Sequence, residues 1–268
     1  MAVGPDGDVW TATHDGAQVL RVDASMRRVV STTPIAGQGT ALAMTGNGLW
    51  AVGWKHALYH IDASSGHADR TVQLPRPDQV AVDGGRIWVT NWQRNTVSGV
   101  EAASGRVVAK LKAGQPPRGG DQGVSAAIAG AGSIWVVRGD ENAVYRIDPA
   151  TGRTVSRIRV GDTPGPGTFA AGSVWITNLT GNSVSRIDPA TNRVVATIAT
   201  GVQPAYAVGN GGAVWVTDFG GDGLTRIDPA TNRTRDVRVC YGPAGLAATA
   251  GALWVACPSA HELVRVAI

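Results

Sequence analysis

The chain has 268 residues, of which 43% are hydrophobic and only 16% are charged, and its formal net charge is +4. This charge is too small and too evenly spread to indicate nucleic acid binding, and no apolar run is long enough to cross a membrane. The 36 glycines and 14 prolines favour many short strands joined by tight turns.

The first residues enter a strand directly, without a signal peptide, so the compartment stays open at this point. Met1 falls inside the first predicted strand, and no fourth strand follows Ile268 in the last repeat. We therefore expect the chain to be an excised domain or a truncated form of a longer protein. A segment outside it would complete the last repeat.

An aliphatic residue followed by tryptophan recurs along the whole chain. The spacings between successive tryptophans are 40, 38, 47, 40, 40 and 39 residues. A period near 40 with four short strands in each copy is typical of propeller blades, and we find no helical periodicity of useful length. The sequence predicts one all-β domain over residues 1–268, a seven-bladed β-propeller whose last blade lacks its outer strand. Its blades are centred on seven tryptophans that we expect in the core: Trp10, Trp50, Trp88, Trp135, Trp175, Trp215 and Trp254.

A tight turn between the third and fourth strands has the sequence Asp-Pro-Ala-Thr-Gly/Asn-Arg in blades four to six. The aspartate can cap the turn, the proline fixes its own φ, and glycine or asparagine sits where φ must be positive. Arg27 takes that last position in the first blade, so we expect a different turn shape there. An ion or phosphate site is an alternative, but the repetition in every blade favours capped hairpin turns.

The opposite end of each blade varies in sequence. We define the variable end as the loops between second and third strands together with the crossovers between blades. Variation on a regular scaffold is typical of binding sites. The long segment Lys112–Val124 is interpreted either as a rim or lid of this end or as a loop without a role. The candidate ligand-binding residues are His14, Trp54, Lys55, His56, Trp92, Arg94, Arg138, Asp140, Glu141, Tyr206, Asp218, Phe219, Tyr241, His261 and Glu262.

The histidines and carboxylates at this end are candidate metal ligands, namely His14, His56, His261, Glu262, Asp140 and Glu141. His14, His56 and His261 belong to blades that are consecutive in a closed propeller, with Glu262 beside the last of them. No short motif fixes their spacing, so we interpret them as separate solvated or hydrogen-bonded side chains. No nucleophile elbow or Cys-His signature appears.

The two cysteines, Cys240 and Cys257, both fall toward the variable end. They form either a disulfide or two free, partly buried thiols. A disulfide would indicate an exported domain.

Three sequence elements, V-W-[VI]-T-[ND], N-x-V-x-R-I-D-P-A-T-[GN]-R and V-V-A-T-I, resemble the YVTN-type β-propeller repeats of bacterial proteins. The match is clearest from Trp175 to Asn178 and extends over essentially the whole chain. The resemblance implies the fold and says little about function, because propellers host many activities.

Within that group, the streptogramin B lyases are similar in blade number and length. This resemblance implies a Mg²⁺ ion, histidines at the crossovers into the last two blades, and a glutamate after the tryptophan of the last blade. Here Ala205, Ala244 and Pro258 stand at those positions. None of the three binds a metal or transfers a proton through its side chain.

The sequence therefore predicts a non-catalytic binding or sensing module, monomeric and without a cofactor. A polar small molecule, a peptide or a protein would bind at the variable end. The alternative is a metal-assisted lyase-like enzyme at the same end, using a divalent ion with His14, His56, His261 and Glu262. A third interpretation is a spacer domain with a structural role.

Overall fold

The structure is a computed structural model, and it describes residues 1–13, 16–54, 57–92, 94–115 and 123–268. The strands form seven antiparallel sheets from consecutive strands, six with four strands and the last with three. The chain is a seven-bladed β-propeller, as predicted, and the missing outer strand of the last blade is also confirmed. Within the described ranges, no helix has the length and hydropathy needed to span a membrane.

The strands follow the blades in order. Blade 1 has β1 (Ala2–Val3), β2 (Val9–Ala12), β3 (Gln18–Asp23) and β4 (Arg28–Pro34). Blade 2 has β5 (Gly39–Thr45), β6 (Gly48–Gly53), β7 (Ala57–Ile61) and β8 (Ala68–Gln73). Blade 3 has β9 (Pro77–Asp83), β10 (Arg86–Asn91), β11 (Thr96–Glu101) and β12 (Val107–Lys112). Blade 4 has β13 (Val124–Gly130), β14 (Ser133–Arg138), β15 (Ala143–Ile147) and β16 (Thr154–Arg159).

Blade 5 has β17 (Pro164–Ala170), β18 (Ser173–Asn178), β19 (Ser183–Asp188) and β20 (Arg193–Ala199). Blade 6 has β21 (Pro204–Asn210), β22 (Ala213–Asp218), β23 (Gly223–Ile227) and β24 (Thr234–Arg238). Blade 7 has β25 (Leu246–Thr249), β26 (Ala252–Cys257) and β27 (Glu262–Ala267). Single 3₁₀ turns follow β14 at Gly139–Glu141 and β26 at Pro258–Ala260.

The chain divides into two compact units. The first unit comprises Met1–Ala127 with Ala150–Arg153, and the second comprises Ile128–Pro149 with Thr154–Ile268. The expectation of one domain over residues 1–268 stays a prediction.

The seven repeat tryptophans are core residues, because each is at most 5% exposed. In the first unit, Trp50 of blade 2 packs with Ile87 and Val89 of blade 3. In the second unit, Trp175 of blade 5 packs with Val214 and Val216 of blade 6. Each of these indoles thus fills the space between its own sheet and the next, which is the packing that a large flat side chain favours.

An arginine on the third strand completes this packing in several blades. In blade 5, Arg186 lies opposite Trp175 in the strand register, and its guanidinium carbon is 4.9 Å from the centroid of the indole. The same guanidinium donates to the carbonyl of Pro229 and, at 2.9 Å, to Oδ1 of Asn232, both in the turn of blade 6. One side chain therefore stacks on its own blade and hydrogen bonds to the next. We call this arrangement the arginine link.

The arginine link recurs with variations. Arg146 of blade 4 binds the carbonyl of Pro189 and Oδ1 of Asn192, and stacks on Trp135 at 4.9 Å. In blade 2 the position holds His60, which is too short to reach the next turn. Arg70, the strand partner of His60, donates instead to the carbonyl of Ala103 in blade 3 at 3.0 Å. In blades 5 and 6 these links explain why the positive-φ position of the turn holds asparagine, whose side chain accepts a hydrogen bond that glycine cannot accept.

The turns are capped as predicted. Asp188 accepts hydrogen bonds from the backbone nitrogen of Ala190 at 2.9 Å and from Oγ1 of Thr191 at 2.8 Å. These bonds stabilise the carboxylate and lower the pKa of Asp188 below its ordinary value. The capped-turn interpretation is therefore supported by geometry.

The expectation of a different shape for the first turn was wrong. Arg27 adopts φ of 53°, close to the 56° of Asn192, and its N–H donates to the carbonyl of Asp23 at 2.8 Å. The side chain of Asp23 also accepts hydrogen bonds from Ser25 and Met26. Left-handed backbone costs an arginine about 1 kcal/mol, and these bonds offset that cost.

Replacing Arg186 by methionine tests the arginine link. The substitution removes the stacking and the hydrogen bond of 3.0 Å to Oγ of Ser173 in the same blade. It also leaves the two acceptors in the blade 6 turn without their donor. We expect a loss of about 2 kcal/mol in the free energy of unfolding, measured by urea denaturation. The matched variant is Arg226→Met in blade 6, where the guanidinium stacks on Trp215 at 5.8 Å but has no hydrogen bond within the described residues. This variant should lose less than 1 kcal/mol, and equal losses would contradict a role for the bonds to the turn.

Candidate functional site

The last residue of each second strand occupies one structural position at the variable end. In blades 3 and 5 it is an asparagine. Asn91 donates to Oγ of Ser98 at 3.0 Å, and Asn178 donates to Oγ of Ser185 at 3.0 Å. The other blades carry different residues here, and these differences give each blade its own chemistry at this end.

The first strand of several blades has a bulge at the same end. The hydroxyl of Thr217 accepts a hydrogen bond at 3.0 Å from the backbone nitrogen of Tyr206, where the register of β21 shifts. Tyr206 is therefore a half-buried strand residue, and its predicted place in a crossover was wrong. The crossover before blade 4 is likewise shorter than predicted, because Lys112 ends β12 and Val124 begins β13.

Two tryptophans outside the repeat come together at the variable end of blades 2 and 3. The ring centroids of Trp54 and Trp92 are 6.3 Å apart, and the ring planes are tilted by 56°. Trp54 is 43% exposed and Trp92 is half-buried. Their backbone nitrogens donate to crossover carbonyls, from Trp54 to Gln38 at 2.8 Å and from Trp92 to Arg76 at 2.9 Å. Both ends of the aromatic pair are thus held by the crossovers that precede their blades.

A carboxyl group lies near the Trp54–Trp92 pair in the sequence. Asp78 is on β9, two residues after the carbonyl that accepts from Trp92. Burial raises the pKa of the Asp78 carboxyl to about 6. Its backbone carbonyl accepts a bond of 2.7 Å from Thr40 of blade 2, whereas its carboxyl has no hydrogen bond or ion pair within the described ranges. Sequence reasoning missed Asp78, although it follows Pro77 at the position that Ala205 takes after Pro204 in blade 6.

The predicted charged residues of blade 4 form an ion-pair cluster. Arg138, which is 1% exposed, contacts Asp140 at 2.6 Å and Glu141 at 3.0 Å. Glu141 also accepts from Arg157 at 2.9 Å and from the hydroxyl of Tyr145 at 2.8 Å. A buried arginine needs such partners to compensate for its lost hydration. These charges are satisfied by one another, so the cluster positions the 3₁₀ turn of blade 4.

Phe219 and Tyr241 lie at the variable end of blade 6 and on the crossover that leaves it. Phe219 is 47% exposed and Tyr241 is 70% exposed. Their segments are joined by a hydrogen bond of 2.8 Å from the nitrogen of Gly242 to the carbonyl of Gly221. A disulfide between Cys240 and Cys257 ties the same crossover to the end of β26. The alternative of two free thiols was therefore wrong, because the crossover brings the two sulfur atoms into bonding contact.

Asp218 of blade 6 stands where blades 3 and 5 have asparagine, and it is 5% exposed. Its Oδ2 accepts a bond of 2.9 Å from Oγ1 of Thr225, whereas its buried Oδ1 has no partner within the described part of the chain. Burial raises the pKa of Asp218 to about 6, against the effect of the Thr225 bond, and the charge of Asp236 adds to the rise. Asp218, one of the predicted ligand-binding residues, is thus a buried acid.

The remaining candidate ligand-binding residues either lie apart from the aromatic pair and the ion-pair cluster or lie outside the described residues. His261 and Glu262 are exposed at the start of β27, and Arg94 is exposed after β10. His14, Lys55, His56 and residues 116–122 of the long crossover lie outside the described residues. Among the described residues, no three His, Cys, Asp or Glu side chains converge as metal ligands. The predicted ligand-binding set therefore stays a prediction as a set, and its aromatic pair is the part with defined geometry.

Solved structures share this fold. A streptogramin B lyase superposes with a TM-score of 0.84 at 18% identity, covering 98% of this chain and 91% of the lyase. Hydrazine synthase from Kuenenia stuttgartiensis gives 0.83 at 15% identity, with 100% and 94% covered. BamB from Moraxella catarrhalis gives 0.72 at 13% identity, with 98% and 82% covered. The sequence matches no known family profile and no curated protein. Identities this low show the β-propeller fold alone, and the finer YVTN-type assignment stays a resemblance.

The pKa of Asp218 predicts how stability depends on pH. Because the folded carboxyl binds its proton more tightly than the unfolded one, whose ordinary pKa is 3.8, stability should fall as pH rises from 4 to 6. The loss from this group should be roughly 2–3 kcal/mol and nearly complete at about pH 7. Asp218→Asn should remove this loss and raise stability at pH 7, because its amide can donate to Thr225 as Asn178 donates to Ser185.

Urea unfolding of both proteins at pH 4, 5, 6 and 7 measures this effect. Asp236→Asn removes only the neighbouring charge, so it should reduce this pH dependence slightly and leave most of it. Asp78 has a pKa raised in the same direction, so part of the pH dependence should remain in Asp218→Asn. If Asp218→Asn is less stable than the parent protein at pH 7, this contradicts the assignment of Asp218 as a buried acid whose charged form destabilises the folded state.

The disulfide should stabilise the last blade. It closes a segment with a sequence separation of 17 residues, for which loop-closure entropy gives about 3 kcal/mol. Reduction with dithiothreitol should lower the free energy of unfolding by that amount. The double variant Cys240→Ala/Cys257→Ala should resemble the reduced protein and be insensitive to dithiothreitol. Unchanged unfolding after confirmed reduction would show that the crossover is held without the bond.

Proposed function

We propose that the protein is a non-catalytic binding module whose ligand contacts the variable end of blades 2 and 3. The observation that carries this proposal is the Trp54–Trp92 pair. Each indole lies outside the repeat that fills the core, and Trp54 leaves 43% of its surface in water. Exposed aromatic surface is unfavourable in water unless a partner covers it, so paired, exposed indoles favour a binding surface.

The pair is held in place before any ligand arrives. Backbone hydrogen bonds of 2.8 and 2.9 Å fix both tryptophans to their crossovers, and Thr40 bonds to the carbonyl of Asp78 across the same two blades. A preformed site loses less conformational entropy on binding than a flexible one. The half-buried carboxyl of Asp78 disfavours an anion. A polar small molecule or a peptide with a flat apolar group fits this combination.

The opposite ends of the blades offer a contrast. The aspartates of the turns are occupied by hydrogen bonds to their own backbone and hydroxyl groups, as Asp188 and Asp228 show. The turn residues Asn192 and Asn232 also accept from the arginine links. Groups that are already satisfied have little to offer a ligand, so the chemistry favours the variable end.

The disulfide indicates the kind of compartment in which this module works. Structural disulfides persist in oxidising compartments and are rare in the cytosol, so the bond between Cys240 and Cys257 supports an exported protein.

The test uses protein labelled with 5-fluorotryptophan and ¹⁹F NMR. Nine tryptophan resonances are expected, seven from the buried repeat positions and two from Trp54 and Trp92, assigned by Trp54→Phe and Trp92→Phe. The probes are aromatic amino acid amides, short aromatic peptides and a streptogramin B. A bound ligand should shift the Trp54 and Trp92 resonances and leave the seven buried resonances within their line widths.

The contribution of each indole follows from the same titration. Trp54→Ala or Trp92→Ala should weaken the ligand about tenfold or more, the effect of losing one aromatic contact of roughly 1.4 kcal/mol. Phe169→Ala, at a partly exposed aromatic next to the β17–β18 turn of blade 5, should change affinity less than twofold. Shifts confined to other tryptophans would overturn the site. Turnover of the streptogramin that EDTA abolishes would favour the lyase-like alternative.

A further inference from the structure

Thr40 and Asp78 occupy equivalent positions beside the two tryptophans that lie outside the repeat. Each is the second residue of the first strand of its blade, Thr40 in β5 and Asp78 in β9. Each also follows by two residues the crossover carbonyl, of Gln38 or Arg76, that accepts the backbone N–H of the tryptophan in its blade. The hydroxyl of Thr40 donates to the backbone carbonyl of Asp78 at 2.7 Å. The two segments that hold the Trp54–Trp92 pair are thus bonded to each other, and Asp78 lies on one of them.

The fold does not need an acid at the position of Asp78. The second residue of the first strand is uncharged in the other four-stranded blades from the second to the sixth, namely Thr40, Ser125, Gly165 and Ala205. The acid is particular to blade 3, whose second strand leads directly to Trp92. The two tryptophans outside the repeat and this acid therefore fall in the same two neighbouring blades. Such a departure from a repeated scaffold is typical of a binding site.

The carboxyl group of Asp78 is half-buried and lacks a partner for its charge among the described residues. Burial raises its pKa to about 6, whereas an ion pair or hydrogen bonds to the carboxylate would lower the pKa. Strand β9 packs mainly on β5, β6 and β10. The one cation on these three strands is Arg86, which lies opposite Asp83 at the other end of β9. A carboxylate that has lost part of its hydration is stabilised by a nearby cation, and a ligand can supply it.

We propose that the ligand of the Trp54–Trp92 pair is an organic cation, with an ammonium group that binds the carboxylate of Asp78 and a flat apolar group that stacks on the indoles. This inference rests on the function proposed for blades 2 and 3 and names the class of its ligand. An ammonium group supplies both the positive charge and the N–H donors that the carboxylate lacks. The faces of the indoles attract the same cation. The site therefore selects by charge among compounds of similar shape.

The experiment compares three compounds that share an indole ring and differ in charge. Tryptamine carries an ammonium group, N-acetyltryptamine is neutral, and indole-3-propionate is an anion. Each is titrated into the intact protein labelled with 5-fluorotryptophan, at pH 7, where most of the Asp78 carboxyl is ionised. Affinities are taken from the ¹⁹F resonances of Trp54 and Trp92. Tryptamine should bind at least tenfold more tightly than N-acetyltryptamine, and indole-3-propionate should bind most weakly.

Two protein variants separate the carboxylate of Asp78 from general charge. Asp78→Asn keeps the size of the side chain and removes its charge. It should weaken tryptamine tenfold or more and change the affinity for N-acetyltryptamine less than twofold. Asp83→Asn is the matched control, because it removes a negative charge from the other end of the same strand, about 16 Å along β9. It should change both affinities less than twofold, and the seven buried tryptophan resonances show that each variant is folded.

The outcomes distinguish the ammonium site from the aromatic site on which it rests. Shifts of the Trp54 and Trp92 resonances with equal affinities for the three compounds would overturn the ammonium site and leave the aromatic site. The same holds if Asp78→Asn keeps the preference for tryptamine, or if an aromatic peptide shifts both resonances and millimolar tryptamine shifts neither. No shift with any probe would overturn both proposals.

A fourth probe identifies the source of the ammonium group. The tripeptide amide Trp-Ala-Ala has an N-terminal ammonium group next to the same indole. Tighter binding of this peptide than of tryptamine would assign the ligand to a peptide N-terminus, and weaker binding would assign it to a free aromatic amine. In both cases Asp78→Asn should remove the advantage over the N-acetylated form of the same compound.

Discussion

The structure depends on tryptophans that lie between neighbouring sheets. Each repeat places an indole at the middle of its second strand, and in blades 2 and 5 that ring packs on aliphatic residues of the next blade. In blades 1, 4, 5 and 6 the third strand then sets a cation over the ring, as Arg186 does over Trp175. A desolvated cation on an aromatic face contributes up to about 2 kcal/mol, and its remaining donors bind the next turn. Where a blade has this arginine, one tryptophan and one arginine thus provide the packing, the stacking and the hydrogen bonds to the next blade.

The variations on this pattern are informative. His60 cannot reach the turn of blade 3, and Arg70 on the neighbouring strand supplies the bond instead. Gly99 holds the position in blade 3, where a side chain would collide with the ring of Trp88. The indole nitrogens differ as well. Those of Trp135 and Trp175 donate to carbonyls five residues earlier, whereas those of Trp10, Trp50 and Trp88 have no partner among the described residues. Blades 1 to 3 thus satisfy fewer polar groups around their tryptophans than blades 4 and 5.

The fold was predictable because its signal is periodic. The spacing of the aliphatic-Trp pairs and the Asp-Pro turns predict blade number, strand count and loop direction, and all of these depend only on local sequence. The candidate site was less predictable, because charge and exposure depend on neighbours distant in the chain. Arg138 and Asp218 are predicted to bind a ligand, yet Arg138 is buried in ion pairs and Asp218 is a buried acid. Asp78 went unnoticed because one aspartate after a proline is an ordinary strand start until its burial is known. The pairing of Cys240 with Cys257 likewise depends on where a crossover returns, which spacing alone leaves open.

The arginine link has a direction, since the donor always lies in one blade and the acceptor in the following one. Blade 5 carries both halves, a donor in Arg186 and an acceptor turn in Asn192. Such a blade is complementary to a copy of itself, so duplicating or deleting it in the gene leaves every donor with an acceptor. Blades 2 and 3 lack the standard donor, because His60 and Gly99 hold its position, although in blade 2 Arg70 donates to blade 3 from the neighbouring strand. The arginine link would therefore match a duplicated blade 5 to its neighbours, whereas a copy of blade 3 would bring no such donor.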